Sequence, residues 1–119
     1  MTKTISTKKL LTTIIEGIEE RKGEKIISLD FKNIENAICK YFVVCEGNST
    51  THVAAIADGI AEHVQKNTGI KVWQHTGYDN AEWIILDYVE IMVHVFQPYV
   101  RNYYTIEELW ADCPMRKYE

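Results

Sequence analysis

Two β-rich runs, Trp83 to Tyr88 and Ile91 to Phe96, are separated only by Val89 and Glu90. So short a link joins adjacent antiparallel strands, since a parallel return needs a dozen residues or more. The link has neither Gly nor Asn, so its turn type stays open. These runs supply the apolar centre of any fold the chain adopts. Alternation puts Trp83, Ile85 and Asp87 on one face and Glu82, Ile84 and Leu86 on the other. Both faces are partly apolar, so the sequence does not say which is covered and which is offered to a partner.

The remaining elements read off in order. Leu10, Leu11, Ile14, Ile15 and Ile18 fall at helical spacing between Ser6, a natural N-cap, and Gly23, a natural stop. That predicts a helix over 7–22. Residues 25–30 predict a short strand, 31–39 an irregular segment, and 40–45 a buried strand rich in β-branched and aromatic residues. Gly47-Asn48-Ser49 breaks that strand and caps a helix carrying Val53, Ile56, Ala57, Ile60 and Val64 on one face, which Asn67-Thr68-Gly69 ends. A third strand is expected over 70–74, a loop over 75–80, and then the hairpin. Pro98 can open a helical turn, and Thr105-x-x-Glu108 fits a capping box for a last helix through Asp112. The order α-β-β-α-β-β-β-α, with a helix long enough for a parallel crossover between 40–45 and 70–74, predicts an α/β fold with a mixed β-sheet flanked by helices. The 119 residues are read as one domain, 1–119.

Composition excludes several classes. No run approaches the ~18 apolar residues of a membrane span, and the basic N-terminus is followed by a helix broken by Glu16, Glu19 and Glu20, unlike a signal peptide. Cys39, Cys45 and Cys113 are odd in number and lack C-x-x-C spacing, which suits reduced thiols in a cytoplasmic protein. Charge is uneven: residues 1–73 carry a net of +1 and residues 74–119 a net of −5. Little direct nucleic-acid contact is expected from such a balance; the acidic half suits a basic protein surface, though carboxylates that only keep the domain soluble are the commoner case in acidic proteins.

The candidate chemistry is thin. Gly47-Asn48-Ser49 before a helix has free N–H groups but neither phosphate-binding glycine pattern. A capped turn is the plainer reading. Asp87 and Glu90 are three apart across a turn, whereas a metal pair for nucleotidyl transfer wants carboxylates alternating on one strand. His52 and His63 are eleven apart on one helix, about 16 Å, too far to share a metal. His94, inside an apolar run, reads as a packed histidine. No catalytic residue, metal site or cofactor is therefore assigned. Trp73, Trp83, Trp110, Tyr88, Tyr99, Tyr103 and Tyr104 crowd an acidic stretch, a composition that favours core or protein interface over nucleic-acid stacking.

Tyr41 to Ser49, His52-Val53 with Ala55 to Asp58, Trp83 to Asp87, Val93 to Phe96, Arg101, Tyr104 to Glu107 and Leu109-Trp110 occur in an order and spacing that resembles the ribosomal silencing factor family, also called iojap. The likeness runs from about Leu10 to Asp112. It implies a nucleotidyltransferase-like fold without the catalytic carboxylates. It also implies binding to the large ribosomal subunit through ribosomal protein L-fourteen, a block on subunit joining when nutrients are short, and a possible homodimer. The chain departs from the family pattern at Lys40 (commonly Asp), at Thr76-Gly77 (commonly Glu-Gly) and at Val89-Glu90 (commonly Gly-Asp).

The expected function is thus a non-enzymatic, cytoplasmic translation repressor. Trp83, Tyr88 and Met92 are the candidate apolar anchors. Asp79, Asp87 and Glu90 are the candidate partners for basic groups. Arg101 either joins the interface or ties the C-terminal segment to the domain. Leu109 and Trp110 are expected to fold back on the domain. The rival readings are a nucleotide-binding protein using the Gly47 turn and a homodimeric scaffold.

Overall fold

The computed structural model describes residues 5–118. Helix α1 (Thr7–Glu20) starts where the Ser6 hydroxyl accepts the Lys9 N–H over 3.1 Å. It ends with Lys22 N–H donating to the Glu19 carbonyl and Gly23 N–H to that of Ile18, a Schellman cap with Lys22 at φ +60°. Leu10, Ile14, Ile15 and Ile18 face inward. Helix α2 (Thr50–Thr68) is capped by Ser49, whose hydroxyl accepts from His52 N–H, and ends at Gly69 in the left-handed region. The helices cross closely at Gly17, where a Cβ would lie 3.0 Å from Ile60 Cα. His52 fastens the pair by its Nε2, 2.9 Å from the Arg21 carbonyl.

Both helices lie on one face of a six-stranded sheet. Its strands are β1 (Glu24–Asp30), β2 (Tyr41–Glu46), β3 (Gln74–Thr76), β4 (Trp83–Asp87), β5 (Ile91–Phe96) and β6 (Met115–Tyr118). Their order is β3-β4-β5-β2-β1-β6. Only β2 and β5 pair in parallel; the other four pairs are antiparallel. Alternation divides the core. Val43, Cys45, Ile84, Leu86, Ile91, Val93 and Val95 pack under α1 and α2. Ile27, Leu29, Phe42, Val44 and Phe96 point the other way. That second face is covered only by residues 31–39, by α3 (Pro98–Tyr104), by the single turn α4 (Ile106–Leu109) and by the segment after it.

The α/β class and the mixed sheet are as the sequence predicts, and three details differ. The third strand is not 70–74 but Gln74–Thr76, an antiparallel edge on β4, and β2 takes β5 as its parallel neighbour. Ile70 and Val72 do pack on the helix-side core, but Trp73 N–H to the Asp87 carbonyl is the backbone bond that ties this stretch to β4. The doubly buried β5 belongs at the centre of the sheet, where a polar-flanked strand would leave one face poorly packed. Strand β6 was not foreseen. Its residues are mostly exposed and show little alternation, and it is held by the β1 ladder and a 2.9 Å contact between Ser28 Oγ and Tyr118 Oη. Finally, the capping box does not form. Thr105 sits at φ +45°, ψ +54°, ending α3 and opening α4, with no side-chain cap. A β-branched residue there bears strain of about 1–2 kcal/mol.

The hairpin turn is resolved as well. Glu90 N–H donates to the Tyr88 carbonyl across Val89, which is held at φ +73°. This is a γ-turn that disfavours any side chain and a branched one most. Val89→Gly should therefore raise stability by about 1 kcal/mol, the relief of strain less the entropy glycine adds to the unfolded chain. A urea midpoint at or below the parent's would show that Val89 carries no strain.

Trp110 folds back as expected, its ring 5.0 Å from Phe31 and 6.3 Å from Phe42, whereas Leu109 is 75% exposed and does not. Trp110→Ala should cost roughly 3 kcal/mol, the low end of the range for buried tryptophans because this one is half-buried. Leu109→Ala should stay within about 0.5 kcal/mol of the parent. Equal losses in equilibrium unfolding would contradict this division.

Candidate docking face

Strand register builds the uncovered face row by row. Gln74, Asp87, Met92 and Phe42 stand side by side, as do Thr76, Ile85, His94 and Val44, and then Trp83, Phe96 and Glu46. The half carried by β2 and β1 lies beneath Phe31, Trp110 and Ile106. Toward β4 the cover thins: His94 and Phe96 of β5 are buried, whereas Met92, Trp83, Ile85 and Asp87 are only half-buried. Trp83 is the centre of this part: its ring is 4.8 Å from Phe96, 5.9 Å from His94 and 4.9 Å from Tyr104 on α3. Tyr104 is 53% exposed and meets Tyr103 edge-on at 5.0 Å. Close by, the loop of residues 77–82 carries Asp79 and Glu82, both exposed. Gly77 holds that loop against β4. At φ +95°, its Cβ would lie 2.0 Å from the Trp83 carbonyl oxygen, so no side chain fits.

The structure sorts the candidate residues. Trp83, Met92 and Asp87 share the uncovered face. Asp87 also accepts the Val89 N–H over 2.7 Å, so it is a turn residue too. Asp79 is exposed on the loop before β4, between Tyr78 and Ala81, which pack on the helix-side core. Tyr88 is the correction. It is 5% exposed and packed under the helices, because it follows Leu86 in the alternation, and it serves as core. Glu90 lies off the face, where it accepts the Thr7 hydroxyl at 2.7 Å and pairs with Lys40 at 3.0 Å. Those two partners hold its carboxyl below the usual value. Arg101 is 7% exposed and ties the C-terminal segment to the domain through Glu46, Glu107 and the Lys25 carbonyl. Tyr104 and Ile85 were missed as candidate anchors. The signal for Ile85 was its place between Trp83 and Asp87; Tyr104 gave none beyond its exposure-prone tyrosine pair.

All three thiols are free and buried; burial pushes Cys39 up to about 11 and Cys45 up to about 12, so neither is a thiolate near neutral pH. The Gly47 turn is occupied by its own cap, with Asn48 N–H donating to His52 Nδ1. Among the described residues no group of three or more His, Cys, Asp or Glu could hold a metal ion, and no helix is long and apolar enough to cross a membrane.

His94 supports Trp83 from below. Its Nδ1 accepts the indole N–H over 3.1 Å, which requires the neutral ring, while Nε2 finds no partner among the described residues. It is 4% exposed, and burial pulls it down from 6.5 to about 4. Between those values the unfolded chain binds the extra proton. The stability from keeping His94 neutral is therefore complete above about pH 6.5 and is lost as pH falls toward 4. Glu90 acts lower, losing its contribution only as pH falls below the ordinary glutamate range. Urea unfolding should therefore show about 2 kcal/mol less stability at pH 5 than at pH 7, a difference that His94→Phe removes. An unchanged slope in that variant would remove His94 from the account.

Fold and face together define a mixed α/β domain whose best-developed surface is an aromatic sheet face flanked by acids. The sequence pattern of the family described as "Ribosomal silencing factor during starvation" matches residues 4–119. The chain belongs to that family. It is similar to the ribosomal silencing factor RsfS of Bacillus subtilis, 36% identical over 108 residues covering 91% of this chain and 90% of the relative. A crystal structure of a Chromobacterium violaceum protein superposes with a TM-score of 0.84 at 31% identity, covering 90% of this chain and 88% of that one. A more distant likeness is to the mouse protein named "Mitochondrial assembly of ribosomal large subunit protein 1", 29% identical over 74 residues, 60% of this chain and 32% of the relative.

Proposed function

We propose that this chain represses translation without catalysis. It docks on the large ribosomal subunit through the uncovered half of its sheet, chiefly against ribosomal protein L-fourteen, and so keeps the small subunit from joining when nutrients are short. The observation that carries this reading is the Trp83–Tyr104 pair, with Ile85, Met92 and Asp87 on the same sheet face and the exposed acids Asp79 and Glu82 on the loop that leads into Trp83. An apolar centre within a charged rim is the anatomy of a protein interface, and aromatic residues dominate the energy of such centres. The net of −5 over residues 74–119 adds a field that attracts a basic partner. Family membership and the large-subunit name of the mouse relative point to the same particle.

The test is reassociation of purified ribosomal subunits. Excess protein should lower the yield of intact ribosomes, and the protein should co-sediment with the large subunit alone. Tyr104→Ala or Met92→Ala should speed dissociation from it about tenfold or more. Asp79→Lys should mainly slow association and weaken its dependence on salt. Undiminished ribosome formation with folded protein in excess would refute silencing. Co-sedimentation with the small subunit alone would refute the docking site. Light scattering of the free protein reports whether two copies cover the same face, in which case dimer and ribosome compete for it.

A further inference from the structure

The buried Arg101 spans a strained joint. Its Nη1 donates to the Lys25 carbonyl at 2.8 Å and to Glu46 Oε1 at 3.1 Å, fixing it to the sheet. Its Nε and Nη2 donate to a single oxygen of Glu107, at 3.1 and 2.9 Å, reaching from α3 to α4. Between Arg101 and Glu107 lies Thr105 in the left-handed region, its N–H on the Arg101 carbonyl at 2.9 Å. The helices on either side have seven and four residues, and neither would persist alone. Tyr104 is the residue just before the bend. Its ring lies against Trp83, and whether it stays there depends on how firmly the bend is held.

We infer that Arg101 and Glu107 are positioning residues for the docking face: their ion pair straps α4 to α3 across Thr105 and so presets Tyr104 on Trp83 as one rigid anchor. The inference rests on the docking reading above and adds the device that prepares the face. A preset pair of rings binds without first losing rotamer and backbone freedom, which lengthens residence on a partner. The sheet end supports the same arrangement. Ladder pairing in β1 is irregular between Glu24 and Ile27, and Lys25 there has φ +50°; its carbonyl reaches Arg101.

Glu107→Gln is the informative variant. The Glu107 side chain is about a third exposed, and the change leaves Glu46 paired with Arg101, so the fold is kept. Removing Arg101 itself would strand buried Glu46 and test folding instead. Two measurements are made on the full chain. In the free protein, nuclear Overhauser contacts between the Tyr104 and Trp83 rings should be present in the parent and weakened in Glu107→Gln. On the large subunit, Glu107→Gln should speed dissociation about fivefold, and should add almost nothing to Tyr104→Ala, because both act on one anchor. Ring contacts unchanged in Glu107→Gln, or a full additional loss in the double variant, would overturn the strap. A parent protein that shows the ring contacts yet fails to bind the large subunit would instead overturn the docking reading.

Discussion

The pairing of β5 on both sides, parallel to β2 and antiparallel to β4, governs the rest of the molecule. Because side chains alternate strictly, one register places Ile91, Val93 and Val95 under the helices and Met92, His94 and Phe96 on the other side. Neighbouring strands inherit that choice. Trp83 falls opposite Phe96, Ile85 opposite His94 and Asp87 opposite Met92. A slip of one residue would bury Asp87 beneath α2 and expose Leu86. The position of the partly open Trp83 face is thus a consequence of core register and needs no separate instruction.

The hairpin, α1 and α2 were legible because each has a strong local signal: a two-residue link, a 3.6-residue apolar stripe, and caps at Ser6 and Ser49. What escaped depends on contacts between distant segments. Strand β6 exists because β1 offers an edge and Ser28 meets Tyr118 ninety residues away. The Thr105 box matched in spelling, yet the backbone there is left-handed, between Arg101 and Glu107 that pair across it, and the side chain makes no cap. Tyr88 looked like an anchor by composition, and only its parity with Leu86 shows that it faces the helices. The aromatic and acidic composition of residues 74–119 was readable; which of those residues share an exposed face depends on the side each takes in the sheet.

Lys40 and Glu90 meet in space, the ammonium 3.0 Å from the carboxylate, in an exposed pair worth little by itself. Val89 beside them has no such compensation, and the strain at φ +73° stays in the turn. At the other end of β4, Thr76 pairs with Ile85, and Gly77 next to it holds the following loop, with its exposed Asp79 and Glu82, against the Trp83 backbone.

The two faces of the sheet are covered very differently. The helix side is closed by α1 and α2, 33 residues of helix locked at a glycine crossing. Among the described residues the other side has seven- and four-residue helices and a few loop aromatics, which bury the β1, β2 and most of the β5 side chains but leave Trp83, Ile85 and Asp87 of β4 half-exposed. The shortfall exposes the flank of Trp83, and the domain makes it tolerable in polar rather than apolar terms. His94 accepts the indole N–H, and Arg101 buries a charge to hold the short helices down. Both are stabilising only when complete, since a protonated His94 or an unpaired Glu46 would be a buried charge without a partner. The domain therefore keeps the partly open aromatic face in place through buried polar contacts, the arrangement that the docking proposed above would use.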